Sequence, residues 1–251
     1  MSVLHIARRE LLQFLQSPLT YVISGAFLFI AGFFYATILD GFARASAQGM
    51  GMEEPAFGGF ELVAAFYESM GLITVLFLPT LTMRVLAEEQ RDGSLPLLLT
   101  SPISSWEIVV GKWLGVVGLL VVLLGFGLAY VPIATATMSS LPLLPTLTLI
   151  GALLLLASAC AAIGVAASAL SGSQMLAAVL TWVALLGLWI LGIVANAGGA
   201  LGWAGTKLAM LSHFTPMTQG LIRSNDLVYF VLLTAFSLLI AEQRVQAHRW
   251  R

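Results

Sequence analysis

The chain has 251 residues, of which 59% are hydrophobic and only 9% are charged, and its formal net charge is −1. Soluble domains average about 25% charged residues, and a soluble chain of this length would expose too much apolar surface to water. The composition therefore excludes an ordinary soluble domain and predicts a membrane protein, while the near-neutral charge gives no support for nucleic-acid binding.

The first predicted element is a helix over residues 1–17, which we expect to lie on the membrane surface. Its apolar and polar residues recur at helical spacing on different faces. The alternative is a cytoplasmic extension of the first span. The polar residues before the first long apolar run do not fit a cleaved signal peptide, so we expect that run to be a retained span. The apolar set is Leu4, Ala7, Leu11 and Phe14, and the polar set is Arg9, Gln13 and Gln16.

Six apolar segments are long enough to cross a bilayer, which takes roughly 20 residues of helix. We therefore predict an all-α polytopic membrane protein with six transmembrane helices, forming a single domain over residues 1–251. The sixth segment is short, and we expect its helix to extend on both sides. The predicted spans cover residues 19–39, 62–83, 113–131, 143–170, 175–195 and 227–241.

Lysine and arginine residues are distributed unequally between the two sides of these spans. Because positively charged residues favour the cytoplasmic side, the bias predicts that both termini are cytoplasmic. The acidic segment 40–61 then lies outside, as a solvated loop or as a contact for an extracytoplasmic accessory subunit. One side carries Arg8, Arg9, Arg84, Arg91, Lys112, Arg244, Arg249 and Arg251, and the other carries Arg44, Lys207 and Arg223.

The segment 84–112, between spans two and three, is the longest predicted cytoplasmic loop. Arg84 and Glu88 are four residues apart and can pair on a helix that extends span two. Gly93 follows Asp92 and indicates a helix end. The leucine-rich stretch 94–99 is too apolar to be exposed to the cytosol, so we expect it to contact the membrane surface or another protein.

The next helix has two recognisable features at its start. Ser104 and Glu107 have the spacing of a capping box, which predicts that the helix of span three begins at Ser104, before the bilayer. Gly111 and Gly115 have GxxxG spacing, which would allow another helix to approach closely.

Taken together, this loop resembles the corresponding loop of ABC-2-type exporter permeases. The tail, with His213-Phe214, Gly220 and the segment 226–230, is similar to the gliding-motility and nitrous-oxide-reductase-accessory branch of that family. The matching loop positions are Arg84, Ala87, Glu88, Glu89, Arg91, Gly93, Ser94, Ser101, Pro102, Gly111 and Lys112.

The resemblance implies a permease of the bacterial inner membrane that has no catalytic, cofactor or metal site of its own. Its loop would dock on a separate cytoplasmic ABC ATPase, present in two copies, which binds ATP and Mg²⁺. A second permease copy or a paralogue would complete the membrane part, surrounded by lipid, and residues 196–226 would form a re-entrant region rather than a loose loop. The expected ATPase-coupling residues are Arg84, Glu88, Glu89, Arg91, Gly93, Ser94, Leu95, Leu97, Leu98, Ser101, Pro102, Glu107 and Lys112.

Three other classes of function are alternatives to this interpretation. An ion-coupled secondary transporter or channel usually carries ionisable groups at membrane depth, but residues 113–206 contain no Asp, Glu, Lys, Arg or His. An intramembrane enzyme would need a paired-histidine signature or a facing Ser and His, and His5, His213 and His248 are far apart in the chain. A non-transporting membrane assembly protein is the third class. Cys160, the single cysteine, is interpreted as a small buried apolar residue.

Overall fold

The computed structural model describes residues 3–47, 59–91, 104–127, 143–194 and 199–249. Within these ranges the chain is almost entirely helical and contains no β-strand, which confirms the all-α prediction. The helices in chain order are α1 Val3–Gln16, α2 Pro18–Ala47, α3 Gly59–Thr82, α4 Ala87–Arg91, α5 Ser105–Gly127, α6 Leu143–Leu170, α7 Gln174–Val194, α8 Gly199–Leu208, α9 Met210–Thr218 and α10 Ser224–Arg249.

Six of the described helical segments are long and apolar enough to cross a membrane, as predicted. They are α2, α3 together with α4, α5, α6, α7 and α10. The fourth span has the predicted bounds, and α10 extends beyond the predicted 227–241 at both ends, as expected for that short segment. Residues 128–131 of the predicted third span lie outside the described residues.

Helix α6 lies at the centre of the bundle and contacts α3, α5, α7, α9 and α10. Its surface is rich in small buried side chains, among them Ala152, Ala159 and Ala162. Small residues let helix backbones approach closely within a membrane. At Gly164 the approach is so close that a Cβ atom would collide with Thr82 of α3. In contrast, α2 and α7 are mostly exposed and direct apolar side chains outwards.

The predicted GxxxG contact on α5 is confirmed, and its partner is α1. A Cβ atom at Gly111 would lie 2.7 Å from the Cβ of Ile6, and one at Gly115 would lie 2.6 Å from the Cβ of Glu10. Both distances are shorter than ordinary van der Waals contact. The two glycines therefore set how closely α1 lies against α5.

The buried face of α1 differs in part from the prediction. Glu10 and Phe14 are buried and Ile6 is half-buried, whereas Leu4 is 73% exposed. Positions 6, 10 and 14 recur every four residues and therefore share one helix face, and Leu4 lies off that face. The surface location of α1 on the membrane stays a prediction.

Two short helices, α8 and α9, connect the fifth and sixth spans at the end of the molecule opposite to α4. Helix α9 ends at Thr218 and is followed by Gly220, which has a φ of 80°. The N–H of Gly220 donates to the carbonyl of Met217 and the N–H of Leu221 donates to that of Pro216, each at 3.1 Å. This is a Schellman motif, and its left-handed residue favours glycine. The motif reverses the chain into α10, while the predicted re-entrance of residues 196–226 stays a prediction.

Candidate functional site

Lys112, near the start of α5, has a buried ammonium group surrounded by three oxygen atoms. Its side chain is only 4% exposed, and its Nζ lies 3.2 Å from Oε2 of Glu10 and 2.9 Å from Oε1 of Glu89. The same nitrogen donates to the carbonyl oxygen of Val85 at 2.7 Å. An ammonium has three N–H donors, so this site uses all of them. Lys112 thereby joins α5 to α1, to α4 and to the segment between α3 and α4.

Two carboxylates surround this cation and offset the free-energy cost of burying it. An unpaired charge away from water costs several kcal/mol or more. Burial raises the pKa of the Glu10 carboxyl above its ordinary value, and the nearby Lys112 ammonium opposes that shift. The side chain of Glu89 is 23% exposed, so the second negative charge keeps contact with solvent.

The helix of the second span is interrupted at residues 83–86, where a turn precedes α4. The Ser168 hydroxyl of α6 accepts hydrogen bonds from the amides of Leu86 at 3.0 Å and Ala87 at 2.9 Å, and donates to the carbonyl of Met83 at 3.2 Å. The first amides of a helix have no partner within the helix. Ser168, which is fully buried, therefore acts as an N-cap supplied by a different helix.

Two further contacts attach the same segment to its surroundings. Gln90 Nε2 donates to a backbone carbonyl of α6 at 2.9 Å. Arg84 Nη2 donates to Oγ of Ser17, between α1 and α2, at 3.1 Å. The predicted ion pair between Arg84 and Glu88 is wrong, because the Arg84 side chain is hydrogen-bonded to Ser17 instead. Glu88 is exposed.

The predicted capping box at the start of α5 is confirmed. The N–H of Ser104 donates to Oε2 of Glu107 at 3.0 Å, and the N–H of Glu107 donates to Oγ of Ser104 at 3.2 Å. Each residue thus satisfies the backbone of the other. The carboxylate of Glu107 stabilises the helix start, and α5 begins at Ser105 as a result.

These contacts converge on one place, which we call the Lys112 junction. A cavity of about 430 Å³ lies there, and Arg9 and Glu88 also line it. Arginine and glutamate residues both line this cavity, so its walls carry charges of both signs. The junction consists of Glu10, Ser17, Arg84, Val85, Glu89, Lys112 and Ser168.

The structure brings together part of the predicted ATPase-coupling set. Arg84, Glu89 and Lys112 belong to the junction, and Glu88 and Arg91 are exposed on α4 beside it. The predicted residues that lie outside the described residues are Gly93, Ser94, Leu95, Leu97, Leu98, Ser101 and Pro102.

The sequence reasoning missed Glu10, Ser17 and Ser168 as members of the site. Their partners are 102, 67 and 82 residues away in the chain, so no local spacing joins them. One signal was available for Glu10, because it lies four residues after Ile6 and four before Phe14, on the apolar face of α1. Within the described residues, no group of three or more His, Cys, Asp or Glu side chains could hold a metal ion.

The chain matches the model of a known protein family. The model of a protein family described as ABC-2 family transporter protein matches residues 4–241. The matched region includes α1, the Lys112 junction and the two short helices before α10. No curated protein matches the chain.

Proposed function

The chain belongs to the ABC-2 family of transporter proteins, and from this premise we propose that it is the permease subunit of an ATP-driven exporter or of a complex that transmits mechanical work across the membrane. Its six apolar helices supply the membrane domain. The energy comes from a separate cytoplasmic ABC ATPase, which hydrolyses ATP with Mg²⁺. Two ATPase copies act on two permease chains, and the second permease is another copy or a paralogue.

The observation that carries this proposal is that α4 and the turn before it are attached to α5 and α6 and, through Lys112, to α1. Glu89 and Val85 hold Lys112 of α5, and the amides at the start of α4 bind Ser168 of α6. Breaking each such buried contact costs on the order of 1–3 kcal/mol. A displacement of α4 is therefore transmitted to α1, α5 and α6 together and is not lost in a flexible loop.

The exposed charged residues on α4 are suited to contact the partner that displaces this helix. Glu88 and Arg91 are exposed, and neither forms an ion pair within the described residues. They directly precede the leucine-rich stretch 94–99, which the sequence predicts to contact a partner. We assign this surface to the ATPase.

The same proposal fixes the orientation. With the Lys112 junction in the cytoplasm, both termini are cytoplasmic, and α8, α9 and the acidic segment 40–61 face the other side of a bacterial inner membrane. An extracytoplasmic accessory subunit would bind there. Lipid surrounds the exposed apolar faces of α2 and α7.

The test is co-purification of the tagged permease with its ATPase from native membranes. We expect the double variant Glu88→Lys/Arg91→Glu, and separately a deletion of residues 95–102, to abolish co-purification while membrane insertion persists. The matched control is Arg44→Glu, an exposed charge at the opposite end of α2. Unchanged co-purification of the α4 variants, or its loss in the control, would contradict the proposal.

Glu89 is less informative in this test than Glu88. Its carboxylate also neutralises Lys112, so replacing it lowers the stability of the permease as well as changing its surface. Transport that persists when ATP is depleted would instead favour an ion-coupled transporter.

A further inference from the structure

A second buried polar cluster lies at the end of the molecule opposite to the Lys112 junction. The Schellman motif at Gly220 reverses the chain between α9 and α10. As a result, His213 of α9 lies beside Asp226, in the first turn of the last span. Their side chains are 13% and 6% exposed, and His213 Nδ1 lies 2.7 Å from Oδ1 of Asp226.

The imidazole of His213 faces a hydrogen-bond acceptor at each of its two nitrogens. Nδ1 faces the carboxylate of Asp226, and Nε2 lies 3.2 Å from the carbonyl oxygen of Lys207, in α8. A neutral imidazole carries one N–H and can satisfy only one of these acceptors, whereas an imidazolium carries two and satisfies both. Both acceptors are therefore satisfied together only when His213 carries two N–H groups.

The surroundings of the ring also favour a positive charge. Asp226 is buried, and its Oδ2 has no hydrogen-bond partner within the described residues, so the carboxylate depends on a nearby cation. The ring of Tyr229 is stacked on that of His213, with centroids 4.2 Å apart, and an aromatic face attracts a cation. The hydroxyl of Tyr229 donates to the carbonyl of Leu208 at 2.7 Å, which joins α10 to α8 a second time.

Few other ionisable groups adjoin this cluster. Helix α3 contributes Glu68, which accepts a hydrogen bond from Thr215 at 3.4 Å. Helix α6 contributes Cys160, whose thiol contacts Met210. Lys207 of α8 and Arg223, just before α10, are exposed, and α7 has no ionisable residue within its described length. Among the described residues, Asp226 is the carboxylate within ion-pair distance of His213.

We propose that His213 is a proton-binding site that fastens helices α8 and α9 to the last span. With the proton bound, the imidazolium bridges Lys207 in α8 and Asp226 in α10. When the proton leaves, one of the two contacts loses its donor and Asp226 loses its counter-charge. Histidine is the side chain that most readily gains or loses a proton near neutral pH, so loss of this proton weakens the contact of α8 and α9 with the last span. This inference concerns the end of the permease away from the ATPase and does not rest on the coupling proposal.

The test is amide hydrogen exchange of the intact permease in detergent at pH 6 and pH 8, corrected for intrinsic rates. We expect exchange in residues 207–218 to be about tenfold slower at pH 6, the size of one charge-assisted hydrogen bond. His213→Gln and Asp226→Asn should remove this pH dependence, and His5→Gln, an exposed histidine on α1, should retain it. Equal protection of the native chain at both pH values, or an unchanged pH profile in His213→Gln, would overturn the proposal.

A second measurement leaves His213 in place. In the variant His5→Gln/His248→Gln, His213 is the remaining histidine, and ¹⁵N labelling reports both ring nitrogens directly. We expect both to carry hydrogen at pH 6. One unprotonated nitrogen at that pH would refute the proton-binding site even if a His213 variant failed to fold.

Discussion

The ammonium nitrogen of Lys112 lies 2.9 Å from Oε1 of Glu89. This contact connects the third span to the short helix α4, which lies within the predicted coupling loop, residues 84–112. Because Glu10 of α1 binds the same nitrogen at 3.2 Å, a single cation holds three separate helices at one end of the membrane domain.

Replacement of Lys112 tests how much this cation contributes to the stability of the folded protein. In Lys112→Met the carboxylates of Glu10 and Glu89 would face each other without a counter-ion. We expect the free energy of unfolding to fall by about 3–5 kcal/mol, as in other proteins that lose one partner of a buried ion pair. Thermal unfolding in detergent measures this. The control is Lys207→Met, which removes an exposed lysine at the opposite end and should change stability by less than about 0.5 kcal/mol.

The raised pKa of Glu10 predicts a pH dependence of stability with a definite sign. Burial raises the pKa in the folded state above the value of 4.5 for a free side chain, so the folded protein binds the proton more tightly than the unfolded chain. The contribution of Glu10 is therefore complete below pH 4.5 and declines as pH rises through the raised pKa. Melting temperatures of the native chain and of Glu10→Gln are compared from pH 4 to 8. We expect the melting temperature of the variant, relative to that of the native chain, to rise with pH. A growing advantage of the native chain would mean that attraction to Lys112 outweighs burial.

The Ser168 hydroxyl should be essential to the turn before α4. Ser168→Ala leaves two amides and a carbonyl without their buried partner, so we expect a loss of about 1–3 kcal/mol of stability and weaker ATPase binding. Ser158→Ala on the same helix is the matched control. The Ser158 hydroxyl bonds within its own helix, to Leu155, and its removal should leave ATPase binding unchanged. Equal effects of the two substitutions on ATPase binding would argue against a role for Ser168 at the junction.

The contact between α1 and α5 predicts different tolerances at two glycines. A methyl group at Gly115 would lie 2.6 Å from the Cβ of Glu10, whereas one at Gly118 would lie 3.6 Å from the Cδ atoms of Leu11, an ordinary contact. Gly115→Ala should therefore destabilise the protein by about 1–3 kcal/mol. Gly118→Ala should be neutral or slightly stabilising, because alanine favours a helix by about 1 kcal/mol over glycine. Melting temperatures in detergent measure the effect of each substitution. Equal shifts for the two variants would contradict this prediction.

The sequence predicted features that depend on neighbouring residues. Six spans follow from runs of apolar residues, and the start of α5 follows from the Ser104–Glu107 spacing, because both signals lie within one helix. The GxxxG spacing at Gly111 indicated a close helix contact but not its partner. That partner is α1, which is far from α5 in the chain. No local sequence pattern indicates a contact between segments so far apart.

The contacts of the Lys112 junction could not be predicted in the same way. Ser168 is one small residue within an apolar helix, and its role appears only where the second span breaks beside it. The expected pairing of Arg84 with Glu88 rested on their spacing, whereas the Arg84 side chain donates to Ser17, 67 residues away in the chain. The sequence indicated His213 only as part of the tail motif, yet the turn at Gly220 places it against Asp226.

Site-specific photo-crosslinking tests most directly whether the ATPase acts through α4. A photoreactive phenylalanine analogue is placed at position 88, beside the junction, or at position 203, where Trp203 is 66% exposed at the opposite end. We predict a crosslinked product from position 88 that contains an ATP-binding subunit, labelled by a photoreactive ATP analogue, and none from position 203. An ATP-binding product from position 203, or none from position 88 in an ATP-hydrolysing complex, would contradict the account.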